Sequence, residues 1–518
     1  MIDQTRLPGP TRGQRRRSRR GSVERHDTNA IKATPETGAL HNIPPLDAMI
    51  TPLSNISRAA LTFGLARLLS QGLMFAALVI LARVTDPAAF GVVSFVLAMS
   101  VMLFTFSDFG MSSTVQSYVV ELGPGAVRPA FAVKVASCVA VAACVYASDE
   151  AWGAFKGEGT WIALIVIASS GQFAIMTSNA TGHFARAGML QLLSSGAFLI
   201  GGAALAVAWD PIAGPLFARA FSFAIIGLGL LRLLVFGGAP LRLKGFRGAL
   251  RMGAIVTVNG VFTQILMRSD LALVAYLDGF EATGIYRAAH TLATVPLLIQ
   301  ALFQFPLMRI AAGLLKNGQR DELRRVHRSI TRVLVLALCP ILAGGWALAS
   351  PLLALTFGPE YTGGDWILRL LLLAASAALL AGPVGAVAYM DGRTKAMAKI
   401  TAICSIPMIG LAIVLIPFLG SLGVALAACV AQCLWASALL IHHHRAMGCL
   451  DLGLGTWRFT LLVVLLVSLV IAAIPLSTTA LGLVPSLLAI LAIYVCGLWK
   501  LGFLTRQAWE GAPFGLRE

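Results

Sequence analysis

Long apolar runs recur along most of the chain, and short polar or charged segments separate them. A helix needs about 20 mainly apolar residues to cross a bilayer, and most of these runs reach that length. They are too long for strands and lack the alternation of an outer-membrane barrel. The pattern therefore predicts an all-α polytopic membrane protein with about fourteen transmembrane helices. The predicted spans are 59–82, 90–111, 128–147, 160–180, 188–208, 211–235, 251–276, 282–308, 331–357, 364–390, 397–417, 420–441, 459–476 and 481–500.

The composition changes the picture by excluding other classes of protein. Of the 518 residues, 58% are hydrophobic and 12% are charged. Soluble domains are roughly 45–50% apolar and about 25% charged, so an ordinary soluble enzyme is excluded, as is a disordered chain. The net charge of +17 would suggest nucleic acid in a soluble protein. Here the basic residues lie in the N-terminal tail and between apolar runs, so no nucleic-acid partner is expected.

The basic residues instead predict an orientation in the membrane. If the spans alternate from a cytoplasmic N-terminus, four segments rich in Arg and Lys face inside: 232–251, 309–332, 391–399 and 500–518. The loops on the other side hold nine acids but only two basic residues, Arg83 and Lys156. This asymmetry predicts a multi-pass protein of the bacterial inner membrane with both termini in the cytoplasm.

Residues 1–57 differ in kind from the rest. They contain RRRSRR at 15–20, several prolines and no apolar run, which predicts a disordered basic cytoplasmic tail. Such a tail either adheres to anionic lipid or is simply solvated. Both Met1 and Met49 fit a start of translation, and no secretory signal peptide is visible because the tail lacks an apolar core.

Two segments of the chain echo each other. LARVTDPAAFGVVSFVLAM at 81–99 and VAYLDGFEATGIYRAAHTL at 274–292 each end an apolar span and turn through a short acidic loop. Each then reaches a glycine at the head of the next span, Gly91 or Gly284, 193 residues apart. Spans one and seven are therefore predicted to be equivalent. Repeated bundles with a substrate site at their interface are a common transporter plan.

Several stretches also carry a family resemblance. They are LARVTDPAAFGVVSF with SDFGMSSTV at 107–115, RSDLALVAYLDGFEATGIYRAA at 268–289, PLLALTFGPEYTGGDWILRLLLL at 351–373 and IPFLGSLGVALAACVAQ at 416–432. In these stretches the chain resembles the polysaccharide-transporter branch of the MOP superfamily, the Wzx-type flippases of lipid-linked oligosaccharides. The resemblance covers roughly residues 55–445.

The resemblance implies a domain organisation and a function. Two pseudo-symmetric six-helix bundles, 58–235 and 251–441, would be followed by two extra helices at 459–500 and a cytoplasmic tail at 501–518. The family moves an undecaprenyl-diphosphate-linked glycan outward across the inner membrane for exopolysaccharide, capsule or O-antigen synthesis. The implied partners are that lipid-linked substrate, the lipid bilayer, a glycan polymerase and other export proteins. No enzymatic activity is implied.

Charged residues within the predicted spans indicate the substrate chemistry. A charge at the bilayer centre costs on the order of 2.5–3.5 kcal/mol, so it normally faces protein or a wet cavity. Six of the eight are basic, which predicts an anionic guest, and the planar fork of arginine suits a diphosphate. The eight are Arg67, Asp108, Lys134, Arg219, Arg268, Asp270, Arg287 and Arg369. The predicted substrate-binding residues are Arg67, Lys134, Arg219, Arg268 and Arg287, with Gln71 and Gln264 on the helix faces of Arg67 and Arg268.

Structural interpretations stand beside these assignments. Asp270 and Asp108 are candidates either for coupling to H⁺ or Na⁺ or for a structural pair with a basic residue. Arg369 lies near a helix end and is expected to reach water. The histidines at 442–444 end a span and are expected to be solvated at the membrane surface. Adjacent helical residues point in different directions, so no shared metal site is expected there. No metal and no cofactor are predicted.

Three other functions compete with polysaccharide export. A drug antiporter of the same superfamily would want acidic residues in its cavity, whereas bases dominate here. A peptidoglycan-precursor lipid flippase fits the count of fourteen spans. A membrane glycan polymerase or ligase would need a sizeable external loop, and the longest predicted one, 148–159, has only about a dozen residues. The predicted mechanism is alternating access around a cationic central cavity.

Overall fold

The computed structural model describes residues 46–112, 127–236 and 246–447, together with Tyr494. The regular elements within those ranges are helices. The chain forms two units, Met1–Asn55 and Ile56–Glu518, and every contact discussed below belongs to the second. The helices are α1 (Leu46–Val84), α2 (Pro87–Asp108), α3 (Val127–Trp152), α4 (Gly159–Ala168), α5 (Phe173–Ala180), α6 (Phe184–Ala208), α7 (Ala213–Phe236), α8 (Phe246–Leu277), α9 (Phe280–Ala293), α10 (Val295–Lys316), α11 (Arg320–Ala347), α12 (Ala349–Thr356), α13 (Asp365–Met390), α14 (Thr394–Leu419) and α15 (Ser421–Met447).

The prediction of an all-α polytopic membrane protein is confirmed. Within the ranges that the structure describes, ten helices are long and apolar enough to cross a bilayer. They correspond to ten of the twelve spans predicted between residues 58 and 441. The predicted spans at 459–476 and 481–500 and the tail at 501–518 lie outside the described residues, apart from Tyr494. Most of the predicted tail at 1–57 also lies outside them, although α1 already begins at Leu46.

Two span boundaries differ from the prediction for local reasons. The span predicted at 282–308 is two helices, since α9 ends at Ala293 and α10 begins at Val295. Pro296 stands in the first turn of α10, where its missing N–H costs nothing. The span predicted at 331–357 begins earlier, because α11 starts at Arg320 with its apolar side buried and its charged side exposed. A hydropathy window misses such an amphipathic first half.

The two echoing segments cross each other at α2 and α9. A Cβ atom on Gly91 would lie 1.8 Å from the backbone oxygen of Phe280, and one on Gly284 would lie 2.0 Å from that of Pro87. Pro87 precedes Gly91 by four residues and Phe280 precedes Gly284 by four, so the contact is reciprocal. We call this contact the glycine crossing. Because both positions meet backbone, a side chain cannot be accommodated at either without moving a helix.

A second reciprocal contact lies beside the glycine crossing. Arg83 Nε donates to the carbonyl of Thr356 at 2.7 Å, and Tyr361 donates to the carbonyl of Ala82 at 3.1 Å. Likewise, Lys156 of the first half donates to the carbonyl of Ala275, and Tyr276 of the second half donates to that of Ala154. Ala82 and Ala275 are 193 residues apart, as are Arg83 and Tyr276. We call the four donors, Arg83, Lys156, Tyr276 and Tyr361, the corner clasp.

The corner clasp explains two exceptions in the charge pattern. Arg83 and Lys156 are the two basic residues predicted to lie outside, and each donates to a carbonyl near the C-terminal end of a helix from the other half. Such carbonyls lack partners within their own helix, and the helix dipole places negative charge there. The two positive side chains therefore serve the closure of this end.

Candidate anion-binding site

The site is built on α8 and α9, the charged counterparts of α1 and α2. It consists of Arg268 and Asp270 on α8 with Tyr286, Arg287 and His290 on α9, and we call it the α8–α9 cluster. Asp270 is fully buried. Its Oδ2 accepts a hydrogen bond from the Tyr286 hydroxyl at 2.8 Å, and its Oδ1 accepts one from the backbone N–H of Leu271 at 2.9 Å.

Positive charge exceeds negative charge in this cluster. Asp270 interacts electrostatically with both Arg268 and Arg287, and the two guanidinium groups also act on His290. Among the residues that the structure describes, no carboxylate oxygen lies within 4.0 Å of either guanidinium. Arg287 is only 9% exposed, and its Nε is buried without a hydrogen-bond partner. The cluster therefore holds two guanidinium groups and one carboxylate, and its role in binding an anion stays a prediction.

Arg219 lies on α7, which is not one of the two helices that form the α8–α9 cluster. Its guanidinium carbon lies 4.1 Å from the centre of the Phe223 ring and 5.2 Å from that of Phe198, so it is held between α6 and α7. A cation over an aromatic face is stabilised without a carboxylate. Arg219 is thus held by aromatic rings, and its predicted role in substrate binding stays a prediction.

Lys134 has a carboxylate partner. It is fully buried, its Nζ lies 2.5 Å from Asp108 Oδ1, and it also lies 3.8 Å from the centre of the Phe104 ring. Asp108 accepts two further hydrogen bonds, from the backbone and the hydroxyl of Ser112. The structure thus gives Asp108 the pairing with a basic residue that the sequence left open, and the predicted role of Lys134 in substrate binding stays a prediction.

The remaining predicted residues are distributed over α1, α8 and α13. Arg67 and Gln71 lie half-buried on α1, and Gln264 lies half-buried on α8. Gln71 and Gln264 occupy equivalent positions of the two repeats, since 193 residues separate them, and the side-chain oxygen of Gln71 is buried without a partner. Arg369 pairs with Asp365 at 2.8 Å near the start of α13.

Two residues of the cluster are missed by sequence reasoning about charges. Tyr286 and His290 flank Arg287 at helical spacing in YRAAH, where uncharged polar side chains interrupt an apolar span. That interruption was the available signal for both. The Asp270–Tyr286 hydrogen bond itself depends on how α8 and α9 pack.

Part of the chain resembles a known family of sequences. Residues 57–308 match the family described as polysaccharide biosynthesis protein, which is just under half of the chain. The match includes both echoing segments, 81–99 and 274–292, and the whole α8–α9 cluster. The chain is also 25% identical over 156 residues to the teichuronic acid biosynthesis protein TuaB of Bacillus subtilis (strain 168). That alignment spans 29% of this chain and 31% of TuaB.

Solved structures resemble the chain over a larger share of its length. The lipid II flippase MurJ in an inward closed conformation gives a TM-score of 0.66 at 15% identity and covers 86% of this chain and 99% of MurJ. A multidrug resistance MATE transporter of the MOP superfamily in an inward-facing conformation gives 0.56 at 14% identity, covering 74% of this chain and 96% of that one. A MOP transporter from Pyrococcus furiosus Vc1 (DSM3638), whose binding pocket is described as having reverse polarity, also gives 0.56 at 14% identity, with coverages of 77% and 97%.

These likenesses concern the fold, since each identity is below 25%. The fold is that of helical polytopic transporters, and its match to MurJ extends over nearly all of that protein. The family match adds the sequence pattern of polysaccharide biosynthesis proteins over α1 to α9 and most of α10. The chain thus resembles polysaccharide biosynthesis proteins in sequence over residues 57–308, and it resembles transporters of the MOP superfamily in fold.

Proposed function

We propose that the protein is a flippase that moves an undecaprenyl-diphosphate-linked oligosaccharide from the cytoplasmic to the periplasmic leaflet. The observation that carries the proposal is the surplus positive charge of the α8–α9 cluster. The guanidinium groups of half-buried Arg268 and buried Arg287 both act electrostatically on the single carboxylate of Asp270, which is already hydrogen-bonded to Tyr286. A diphosphate supplies the missing negative charge, and guanidinium groups bind phosphate oxygens in pairs.

The named relatives agree with this substrate class. One solved relative is a lipid II flippase, and a sequence relative takes part in teichuronic acid biosynthesis. Among the competing functions, a drug antiporter is disfavoured by the sign of the buried charge. A polymerase or ligase is disfavoured by the short connection between α3 and α4, residues 153–158, where a catalytic loop would be needed. A peptidoglycan-precursor flippase remains the second candidate, because the MurJ fold matches over most of both chains.

The proposed mechanism is alternating access, and the two reciprocal contacts support it. The glycine crossing and the corner clasp close the end of the molecule predicted to face the periplasm. The diphosphate and its glycan enter from the cytoplasm and contact the α8–α9 cluster while the prenyl chain stays in lipid. The halves then part at the crossing, and the headgroup leaves outside. Two negative charges moving outward gain roughly 4–5 kcal/mol at an inside-negative potential of about 100 mV, so ATP is not required.

This function places the protein in the bacterial inner membrane with both termini in the cytoplasm. Its product is a lipid-linked glycan facing the periplasm, which a glycan polymerase and other export proteins would use. Coupling to H⁺ or Na⁺ through Asp270 is a further part of the proposal. Asp270 is suited to it because its carboxylate is buried and lies among the groups that would bind the anion.

The test removes the surplus charge without removing the carboxylate. The double variant Arg268→Gln/Arg287→Gln is expected to lower glycan export by at least about tenfold, since hydrogen bonds to charged groups contribute about 1.5–3 kcal/mol each. Export is measured by complementation in a flippase-null host and by flipping of the lipid-linked glycan in proteoliposomes. Arg369→Gln is the matched control, because it removes a guanidinium that already has a carboxylate partner.

Undiminished export by the double variant, at wild-type protein level, would contradict the assignment of the cluster. To separate the two candidate substrates, the same proteoliposomes are loaded with lipid II. Flipping of lipid II but not of the lipid-linked oligosaccharide would favour the second candidate.

A further inference from the structure

Buried polar atoms without partners concentrate at one end of the second half. Among the described residues, thirteen buried side-chain nitrogen and oxygen atoms make no hydrogen bond, although one of them, Arg393 Nε, lies 2.8 Å from an oxygen of Asp391. Seven of the other twelve belong to His327, Thr331, Arg393, His442 and His443. Folded proteins contain few such atoms, because each costs about 1–3 kcal/mol. This concentration requires a physical explanation.

Three separate elements bring these groups together. The rings of His327 on α11 and His443 on α15 stack with centroids 4.6 Å apart and planes inclined by 28°. Thr331 follows His327 by one turn of α11 and is also buried. Arg393, in the connection between α13 and α14, interacts electrostatically with His443. We call His327, Thr331, Arg393 and His443 the imidazole–guanidinium cluster.

The cluster is closed to solvent at its centre. His443 is 2% exposed and His327 is 9% exposed. The expectation that the histidines at 442–444 are all solvated is therefore wrong for His443. Adjacent helical residues do point in different directions, and the direction of His443 leads into the protein rather than away from it.

Among the residues that the structure describes, one carboxylate is paired with a member of the cluster. It belongs to Asp391, whose Oδ2 lies 2.8 Å from Arg393 Nε. Its other oxygen lies 3.7 Å from a guanidinium nitrogen of Arg320, so one acid faces two bases. Both terminal nitrogens of Arg393 are buried without a hydrogen-bond partner. His442 and His444 add further basic groups beside His443.

The first half treats the equivalent position differently. Helices α3 and α11 begin 193 residues apart, at Val127 and Arg320, and the same spacing relates Lys134 to His327. Lys134 is satisfied by Asp108. His327 has no such partner, and its Nε2 is among the orphaned atoms. The first half thus supplies a carboxylate, Asp108, to its buried base. Among the described residues, the second half supplies no partner to His327 Nε2.

The unsatisfied atoms define the class of ligand. The terminal nitrogens of Arg393 can only donate, and a hydroxyl and imidazole nitrogens can donate as well. A metal ion is disfavoured because a guanidinium lies beside the rings, and no group of three His, Cys, Asp or Glu is assembled among the described residues. We propose that the imidazole–guanidinium cluster binds a phosphate group, carried either by free phosphate or by a phospholipid headgroup.

This site is separate from the α8–α9 cluster and does not depend on the proposed transport. It lies at the end where segments 309–332 and 391–399 are predicted to face the cytoplasm. A phosphate bound there would join α11, the connection between α13 and α14, and the last turns of α15. Its effect would be to hold the cytoplasmic ends of these three elements together.

The experiment uses the full-length protein purified in detergent and in nanodiscs. Inorganic phosphate is added in detergent and compared with chloride at equal ionic strength, while thermal unfolding is followed. Separately, nanodiscs of phosphatidylglycerol are compared with nanodiscs of phosphatidylcholine. The wild type is expected to unfold at a higher temperature with the phosphate-bearing anion in at least one arm, and amide exchange in residues 388–396 is expected to slow in the same arm.

The variant Arg393→Gln is expected to weaken the apparent affinity by at least about tenfold, because the two-nitrogen fork is lost. Arg325→Gln is the control, since it removes one positive charge from the exposed side of the same end, where Arg325 pairs with Glu322. Arg393→Lys, which keeps the charge but not the fork, is expected to be intermediate. A response to free phosphate alone assigns a soluble anion, and a response to phosphatidylglycerol alone assigns a headgroup.

Two results would overturn the proposal. In the first, the wild type responds to neither phosphate nor phosphatidylglycerol, which would mean that water occupies the cluster. In the second, Zn²⁺ stabilises the wild type and His443→Phe abolishes that effect, which would assign a metal to the two rings. Neither result depends on Arg393→Gln, so both stand even where that variant fails to fold.

Discussion

The two repeats share a backbone plan but differ in charge. Helices α1 and α2 of the first repeat correspond to α8 and α9 of the second at a constant spacing of 193 residues. Where the second repeat has Arg268, Asp270, Tyr286 and Arg287, the first has Phe75, Ala77, Val93 and Ser94. The contacts that close one end are reciprocal, whereas the α8–α9 cluster has no charged counterpart at the equivalent positions of the first repeat. The two repeats are therefore alike where the end closes and differ at the cluster.

The largest expected effect tests how the first half neutralises its buried base. Lys134→Met leaves the Asp108 carboxylate without its ammonium partner, and the free energy of unfolding is expected to fall by about 3–5 kcal/mol. In phosphate-free buffer, His327→Phe at the equivalent position of α11 is expected to cost less than about 1 kcal/mol, because its buried Nε2 has no hydrogen bond to lose. Denaturation in mixed micelles measures both variants.

The double variant Lys134→Met/Asp108→Asn is the control for that pair. Removing both charges is expected to recover most of the stability, since replacing a buried ion pair by uncharged groups is often nearly neutral. A double variant as unstable as Lys134→Met would show that packing, rather than the unpaired carboxylate, causes the loss.

The next effect tests the reciprocity of the glycine crossing. Gly91→Ala and Gly284→Ala are each expected to lower the free energy of unfolding by about 1–3 kcal/mol, because the added methyl group meets backbone oxygen of the opposite helix. The two losses should be similar. Gly72→Ala is the matched control, since a Cβ atom there meets nothing within 4 Å. Loss from one of the two crossing glycines alone, measured by thermal unfolding, would contradict a symmetric crossing.

The smallest effect concerns the corner clasp. Tyr361→Phe and Tyr276→Phe each remove one hydrogen bond to a helix-end carbonyl, with an expected cost of about 0.5–1.5 kcal/mol. Tyr361 is fully buried and Tyr276 is 39% exposed, so the cost at Tyr361 should be larger. Thermal unfolding measures the stability. A larger loss from Tyr276→Phe would indicate that burial does not set the strength of the clasp.

Much of the fold could be predicted from hydropathy, because membrane helices are defined by local apolar length. The exceptions are instructive. The break between α9 and α10 at Thr294 falls inside the span predicted as continuous at 282–308. The first turns of α11 are too charged for a hydropathy window to include them. Both depend on which face of the helix is covered by neighbours.

The site could be predicted only in part. Burial of a charge follows from its place in an apolar span, as for Asp270 and Arg287. The partner of that charge does not, because Lys134 and Asp108 are 26 residues apart and Arg219 finds aromatic rings instead of an acid. The burial of His443 within a polar run was likewise invisible. By contrast, the equivalence of Gln71 and Gln264 was present in the spacing of the echo and needed no structure.

The corner clasp has a consequence for how the protein tolerates change. Its acceptors are main-chain oxygens, so substitutions at Ala82, Ala154, Ala275 or Thr356 leave the acceptors in place, and only the four donors are exposed to mutation. The same oxygens lie at or just beyond helix termini, where water can replace a departing side chain. In the proposed transport cycle, separation would exchange one set of weak hydrogen bonds for another, so a modest driving force would be enough to part the two halves.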